Sequence, residues 1–493
     1  MDRRTEADAG CLWNGLSREL HISPRGAMLV GRVEARRPQV LRLSEREESG
    51  MRRLARGASL AVLMGAGLPA AAQTYNRVDE VMDWGAVTTR LIVDMGAPVT
   101  EAVAPGDFAV SVTRTDPRVA EPLVSDGTVE IVEAYVSDAE GRETVEGRYV
   151  TLVPRIGPDV RETQALNYAE DPAAGRSLNA WTENAYTITR AGEVLADEMG
   201  TYTRPYIDDF TTGSASYEDA DYGTIDLTYA FFSPPEDDGT NPLIVWYHGG
   251  GEGGTDPTIP LAPNRANLFA ADDIQDRFGG AYVLVPQAPT RWMEGPTWDG
   301  GTEPKPDALS IYTRAAQDLT ESIVAQNPDI DPDRIYIGGL SNGGWMTVRL
   351  LLDHPDYYTA GVAVCGPLEL DFVTEEELSG IVDVPLWIVT AATDTTVDAA
   401  EYPADLYNRL IQAGAKDVQF SYLPRVVDTS GDYTNADGTP YEYLGHFSWI
   451  PVYNNELAYI DGDGGQLYGA LARELDEVGG RQVVTLMDWW SSR

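Results

Sequence analysis

Cysteine, lysine and histidine are all scarce in this 493-residue chain, and each scarcity excludes something. The only cysteines are Cys11 and Cys365, and Cys11 lies in a segment read below as absent from the mature protein, so no intrachain disulfide is expected. Stability must then come from a hydrophobic core, which a chain of this length can build. Cys365 ends the apolar run 360–365 and reads as a small core residue. There is no H-E-x-x-H and no paired Cys-x-x-Cys, so neither a metal framework nor a cofactor is expected. Asp461-Gly-Asp-Gly-Gly465 lacks the closing glutamate of a calcium loop and reads as a glycine turn. Lysine occurs only at Lys305 and Lys416, and 36 basic against 78 acidic residues leave a net charge of −42. Such a surface repels nucleic acid and anionic membranes.

The N-terminus carries a processing pattern. Met51-Arg-Arg-Leu-Ala-Arg56 is basic, Gly57 to Leu68 is apolar, and Ala70-Ala-Ala-Gln73 offers small residues for cleavage near Ala72; together, residues 51–72 read as a signal peptide and place the product outside the cytoplasm, secreted or periplasmic. The apolar run is too short to span a bilayer. Residues 1–50, with nine arginines and no periodicity, read as an upstream extension.

The chemistry is concentrated further on. Ile335-Tyr-Ile-Gly-Gly-Leu-Ser341-Asn-Gly-Gly-Trp345 is an apolar strand running into a G-x-S-x-G turn, the setting of a nucleophile elbow. Such a turn exposes the serine hydroxyl at a helix N-terminus, where the amide of Asn342 can face an oxyanion. Histidine occurs four times, at His21, His248, His354 and His446. In the chain order Ser, acid, His the base lies downstream of both partners. His354 stands where a helix ends before Pro355, which leaves His446. The apolar strand ending at Thr390 leads into a loop bearing Asp394 as the expected acid, with Asp398 as its rival. Leu243-Ile-Val-Trp-Tyr-His248-Gly-Gly250-Gly-Glu252 is a strand ending in a glycine run, from which the Gly250 amide is expected to complete the oxyanion hole. No lysine follows the glycines as in a phosphate loop, and His248 reads as a hydrogen-bonder behind the loop.

These motifs, with Gly445-His446-Phe-Ser-Trp449 and the closing Met487-Asp-Trp-Trp490, resemble secreted serine esterases of the polyhydroxybutyrate-depolymerase-like and feruloyl-esterase-like group, above all those with an immunoglobulin-like N-terminal domain. The resemblance covers roughly residues 75–493. It implies an α/β-hydrolase fold and carboxylic-ester hydrolysis by Ser341, Asp394 and His446. The polar stretch 428–440 before the histidine departs from the group and bears on the pocket rim.

Residues 73–192 read as a β-sandwich, from short strands such as Thr88–Val93, Phe108–Thr113, Val129–Val136, Tyr149–Val153 and Tyr186–Arg190 punctuated by Gly, Pro and Asp. From 193 to 493, strands alternate with helical patterns over 315–324, 345–352 and 404–413, as in a mostly parallel sheet flanked by helices. Tryptophans near the motifs, Trp292, Trp298, Trp345 and Trp449, are candidates for a substrate pocket or for packing. The expected partner is an ester, small or polymeric, and oligomeric state is not legible. Two other functions fit less well. A prolyl-oligopeptidase-type peptidase uses the same triad but needs a propeller larger than the region available, and a non-catalytic polymer-binding module would have no use for an intact triad.

Overall fold

The computed structural model describes residues 73–172, 174–235, 239–294, 309–461, 465–467 (backbone only) and 477–493. The processing pattern, Trp298, Lys305 and most of the 461–465 turn lie outside the described residues.

The first eight strands to consider are β1 (Gln73–Met82), β2 (Gly85–Val99), β3 (Phe108–Thr115), β4 (Val124–Val129), β5 (Ile131–Ser137), β6 (Gly147–Pro154), β9 (Glu183–Arg190) and β10 (Glu193–Thr203). They pair in one continuous order, β4-β3-β9-β10-β1-β2-β6-β5, which is antiparallel except where β1 runs parallel to β10. Alternating side chains from both halves of the sheet, Tyr75, Leu91, Val110, Val150, Leu152 and Ile188 among them, meet in one core, so the sheet folds over on itself. The expected strand over 129–136 is broken at Glu130, between β4 and β5. The change of pattern near residue 195 falls inside β10, which pairs with β9 and β1; the boundary expected at 192–193 therefore moves to just beyond Thr203. Between β6 and β9 an arm stands apart as a two-stranded hairpin, β7 (Leu166–Asp171) and β8 (Arg176–Trp181).

The second sheet holds β11 (Thr211–Asp219), β12 (Gly223–Phe232), β13 (Asn241–Tyr247), β14 (Tyr282–Gln287), β15 (Ile330–Leu340), β16 (Ala360–Val364), β17 (Leu386–Ala391) and β18 (Val418–Leu423). Their order is β11-β12-β14-β13-β15-β16-β17-β18, antiparallel across the first three and parallel from β14 onward. Strands β13, β14, β16 and β17 are buried along their whole length, as strands covered on both faces must be. Helices between and after these strands include α1 (Asp272–Phe278), α2 (Thr313–Gln326), α3 (Asn342–Asp353), α4 (Glu375–Gly380) and α5 (Pro403–Ala413), and α2, α3 and α5 coincide with the helical patterns in the sequence. A short helix, Leu486–Ser491, buries Trp489 and Trp490; Trp490 packs against Trp246, Phe278 and Tyr336 beneath the catalytic sheet. Among the described residues no helix is long and apolar enough to cross a membrane.

The two sheets share a core. Val81, Ala86 and Ala165 of the N-terminal region belong to the same buried cluster as Ile207, Phe210, Leu261 and Trp246. The β1–β2 turn adds polar ties: Arg265 donates to Asp83 Oδ1 and to Asn454 Oδ1, both at 2.6 Å. The polar stretch 428–440 closes the same seam, since the Tyr433 ring stands edge-on to Trp84 at 4.6 Å.

Candidate active site

Ser341 lies between β15 and α3 with φ 52° and ψ −118°, a left-handed conformation that a non-glycine residue adopts only when its surroundings enforce it. They do so here. Ser341 N–H donates to Val364 O at 2.8 Å, and Trp345 N–H returns to Ser341 O at 3.0 Å. A Cβ on Gly343 would fall on the Tyr247 carbonyl, so α3 can start this close to β13 only with glycine there.

The serine meets its expected partners. Asp394 Oδ2 accepts from His446 Nδ1 at 2.8 Å, and His446 Nε2 lies 3.0 Å from Ser341 Oγ. A carboxylate can only accept, so Nδ1 carries a proton, and in the neutral ring Nε2 is then open to receive one from the hydroxyl. Asp394 is held by the amides of Thr396 (2.8 Å) and Val397 (2.9 Å), both on Oδ1, while its rival Asp398 is exposed and caps the amides of Ala400 and Glu401. The acid and base loops touch directly: a Cβ on Gly445 would collide with the backbone between Thr393 and Asp394. Burial disfavours the His446 imidazolium, but the nearby Cys365 sulfur and the Asp394 carboxylate outweigh it and raise the ring above its ordinary pKa. Cys365 is buried behind the base, with Sγ 3.4 Å from His446 O. The sulfur, the carboxylate and the ring offer atoms within 4.8 Å of one another, but both ring nitrogens already face Asp394 and Ser341.

The glycine loop approaches from β13. His248 is fully buried; its Nε2 accepts from Ala288 N–H at 3.1 Å and its Nδ1 donates to Gly249 O at 2.6 Å, which fixes the neutral tautomer. Burial depresses this ring to about 4, so it cannot compete with His446 as a base near neutrality. Gly249 is the loop residue that touches the nucleophile, its Cβ position lying 3.6 Å from Ser341 Cβ. Gly250 instead faces Arg291, 3.3 Å from Nε. Asn342, as the first residue of α3, has an amide without a partner inside the helix, while its side-chain Oδ1 accepts from Trp292 N–H. The Asn342 amide thus stands at the serine, whereas on the glycine loop it is Gly249, and not the expected Gly250, that lies against it.

The tryptophans mostly pack. Trp292 is fully buried between Tyr247, His248 and Tyr312, and Trp345, in the first turn of α3, is 3% exposed and belongs to the same core. Trp449 stands edge-on to His446 at 5.4 Å and stiffens the base.

Two features were not foreseen. The β7–β8 hairpin reaches the glycine loop: Asn179 donates to Gly251 O from its backbone N–H (2.8 Å) and from Nδ2 (3.2 Å), and Trp181 Nε1 donates to Thr258 Oγ1 at 2.9 Å. The Tyr168 ring lies 3.2 Å from the Gly251 Cβ position and is more than half exposed. The other is Glu252, buried behind Gly249; burial lifts its carboxyl to about 7, against the Gly249 amide and His446, which favour its charge. Its one signal in sequence is a carboxylate directly after a buried strand and its glycines.

Comparison with known proteins agrees with this architecture. Residues 74–203 match the esterase Ig-like N-terminal domain, and residues 316–380, which contain Ser341, match the prolyl oligopeptidase family. A putative esterase, NocK, from Nocardia uniformis subsp. tsuyamanensis is 30% identical over 127 residues, 26% of this chain and 33% of its own length. A poly(3-hydroxybutyrate) depolymerase from Ralstonia pickettii is 29% identical over 136 residues, 27% of each chain. The chain thus spans a third or less of the curated relatives it matches. A solved structure described as a thermostable esterase superposes with TM-score 0.61 at 22% identity, over 78% of this chain and 96% of that one, and shows the shared fold. The chain therefore shares its fold with a solved esterase, is related over part of its length to proteins named as esterases, and carries an esterase Ig-like domain at residues 74–203.

Proposed function

We propose that the protein is an exported serine carboxylesterase. The observation that carries the reading is the hydrogen-bonded chain from Ser341 through His446 to Asp394. His446 Nε2 takes the hydroxyl proton as Ser341 Oγ attacks the ester carbonyl, and returns it to the leaving alcohol. Asp394 holds the ring in the tautomer that leaves Nε2 open and stabilises the imidazolium. The Asn342 amide and an amide of the 249–250 turn face the position of the tetrahedral oxyanion, each worth about 3 kcal/mol where such donors have been removed. Water then cleaves the acyl-enzyme by the same proton path. Export rests on the 51–72 pattern. The esterase reading is favoured by the names of the relatives, whereas the match over 316–380 favours a peptidase.

Hydrolysis of short p-nitrophenyl esters, beside a matched p-nitroanilide peptide, separates the two. Ester turnover by the wild type that vanishes in a folded Ser341→Ala variant is expected. Amide turnover alone would move the assignment to a peptidase, and activity surviving in Ser341→Ala would overturn the triad.

A further inference from the structure

The glycine loop carries a carboxyl group for which the triad chemistry has no role. Glu252 is 7% exposed, and its Oε2 atom has no hydrogen-bond partner among the described residues. Only one glycine separates it from the nucleophile: the Cβ position of Gly249 lies 2.9 Å from Glu252 Oε2 and 3.6 Å from Ser341 Cβ. The backbone around it is pinned, with Glu252 N–H donating to Gly249 O (3.3 Å) and Gln287 Nε2 donating to Glu252 O (2.9 Å), so the side chain has little freedom to turn outward. The titratable groups facing the carboxyl are His446, from the turn Gly445–Phe447, and Tyr453, from the helix Ile450–Tyr453; its own loop supplies the Gly249 amide. A buried carboxyl without a cationic partner is costly to keep, and such groups collect where their charge is used.

We propose that Glu252 is a positioning residue of the Ser341 site, whose carboxyl anchors the Gly249 segment against the nucleophile and, when ionised, gives His446 a second acidic neighbour beside Asp394. This rests on the reading of Ser341, His446 and Asp394 as a nucleophilic triad. The imidazolium forms only as the serine attacks, so an anion near it stabilises the transition state more than the ground state. Burial places the ionisation of Glu252 near neutrality and a charged His446 favours its ionised form, so on this proposal the two groups titrate as a coupled pair.

The test is the pH dependence, between pH 5 and 8, of the rate at which an alkyl fluorophosphonate modifies Ser341 in the full chain and in Glu252→Gln. In that step Oγ bonds to phosphorus, fluoride leaves, and the hydroxyl proton passes to His446. The reaction needs the triad but no preference for esters, so a chain that cuts amides instead still reports on Glu252. In Glu252→Gln the rate at pH 8 is expected to fall roughly tenfold and the acid limb to move down by about one pH unit, because His446 loses an anionic neighbour. A variant that keeps the wild-type limb, whatever its absolute rate, would show a packing role only and overturn the proposal. If the variant does not fold, the wild type decides alone: an acid limb steeper than one proton supports the coupled pair, and a one-proton limb overturns it. A wild type that is not modified at all overturns the triad and the proposal together.

Discussion

The contact between Asn179 and Gly251 ties the N-terminal region to the glycine loop beside Ser341, and Asn179→Ala tests how far the proposed site depends on it. The substitution removes the Nδ2 hydrogen bond of 3.2 Å and leaves the backbone bond of 2.8 Å in place. A neutral hydrogen bond of this kind contributes about 1 kcal/mol net, which corresponds to roughly fivefold in a rate. The loss should appear in kcat if, as proposed, the glycine loop works on charge that develops only in the transition state. Complete loss of an oxyanion donor would cost about a hundredfold or more, so fivefold reports a loosened loop, not an absent one. Steady-state kcat and KM on a p-nitrophenyl ester, with Tm alongside, form the assay. The control is Asn184→Ala, which deletes a 2.9 Å bond to Gln164 O within the N-terminal region and should lower Tm while sparing kcat. An Asn179→Ala enzyme with unchanged kcat, or with its whole loss in KM, would refute the reasoning.

Two further outcomes follow from the same geometry. Asp394→Asn should lower kcat by about ten-thousandfold, because the ring would lose the partner that fixes its tautomer, whereas Asp398→Asn should stay near wild type; equal losses in steady-state assays would reopen the choice of acid. Stability against pH should show two opposing buried groups. His248 is depressed to about 4, so its contribution is complete above the unfolded value of 6.5 and is lost as pH falls toward 4, a ceiling of about 3 kcal/mol. Glu252 is raised to about 7, so its contribution is complete below the unfolded value of 4.5 and is lost as pH rises toward 7. The wild type should therefore keep a nearly level Tm across this window, while Glu252→Gln loses Tm on acidification; parallel Tm curves for the two proteins would contradict the Glu252 assignment, and a level curve for Glu252→Gln would contradict that of His248.

The triad is legible because Ser341 and Asp394 each follow a buried strand, glycines flank Ser341, and of only four histidines the chain order and the helix end at His354 leave His446. The acid was harder, and Asp398 was separated from Asp394 only by what each side chain accepts. The hairpin contact was invisible, since Asn179 and Gly251 lie 72 positions apart and neither belongs to a pattern that announces the other. The boundary expected at 192–193 stops short of β10 because the parallel pairing of this strand with β1 joins the two ends of the N-terminal region, a long-range link that no local periodicity encodes. The tryptophans near the motifs suggested a pocket, but large aromatics beside a tight elbow serve first to fill the space that glycines open.

The shared core bears on how such a protein can be inherited. Were the chain cut after Thr203, Ile207, Phe210 and Leu261 would face water where Val81, Ala86 and Ala165 had covered them. A gene exchange that joined this hydrolase to a foreign β-domain would bring in a surface shaped for another core, so the two halves must change in step. The N-terminal region is thus no detachable cassette: both parts pass down a lineage, and fail, together.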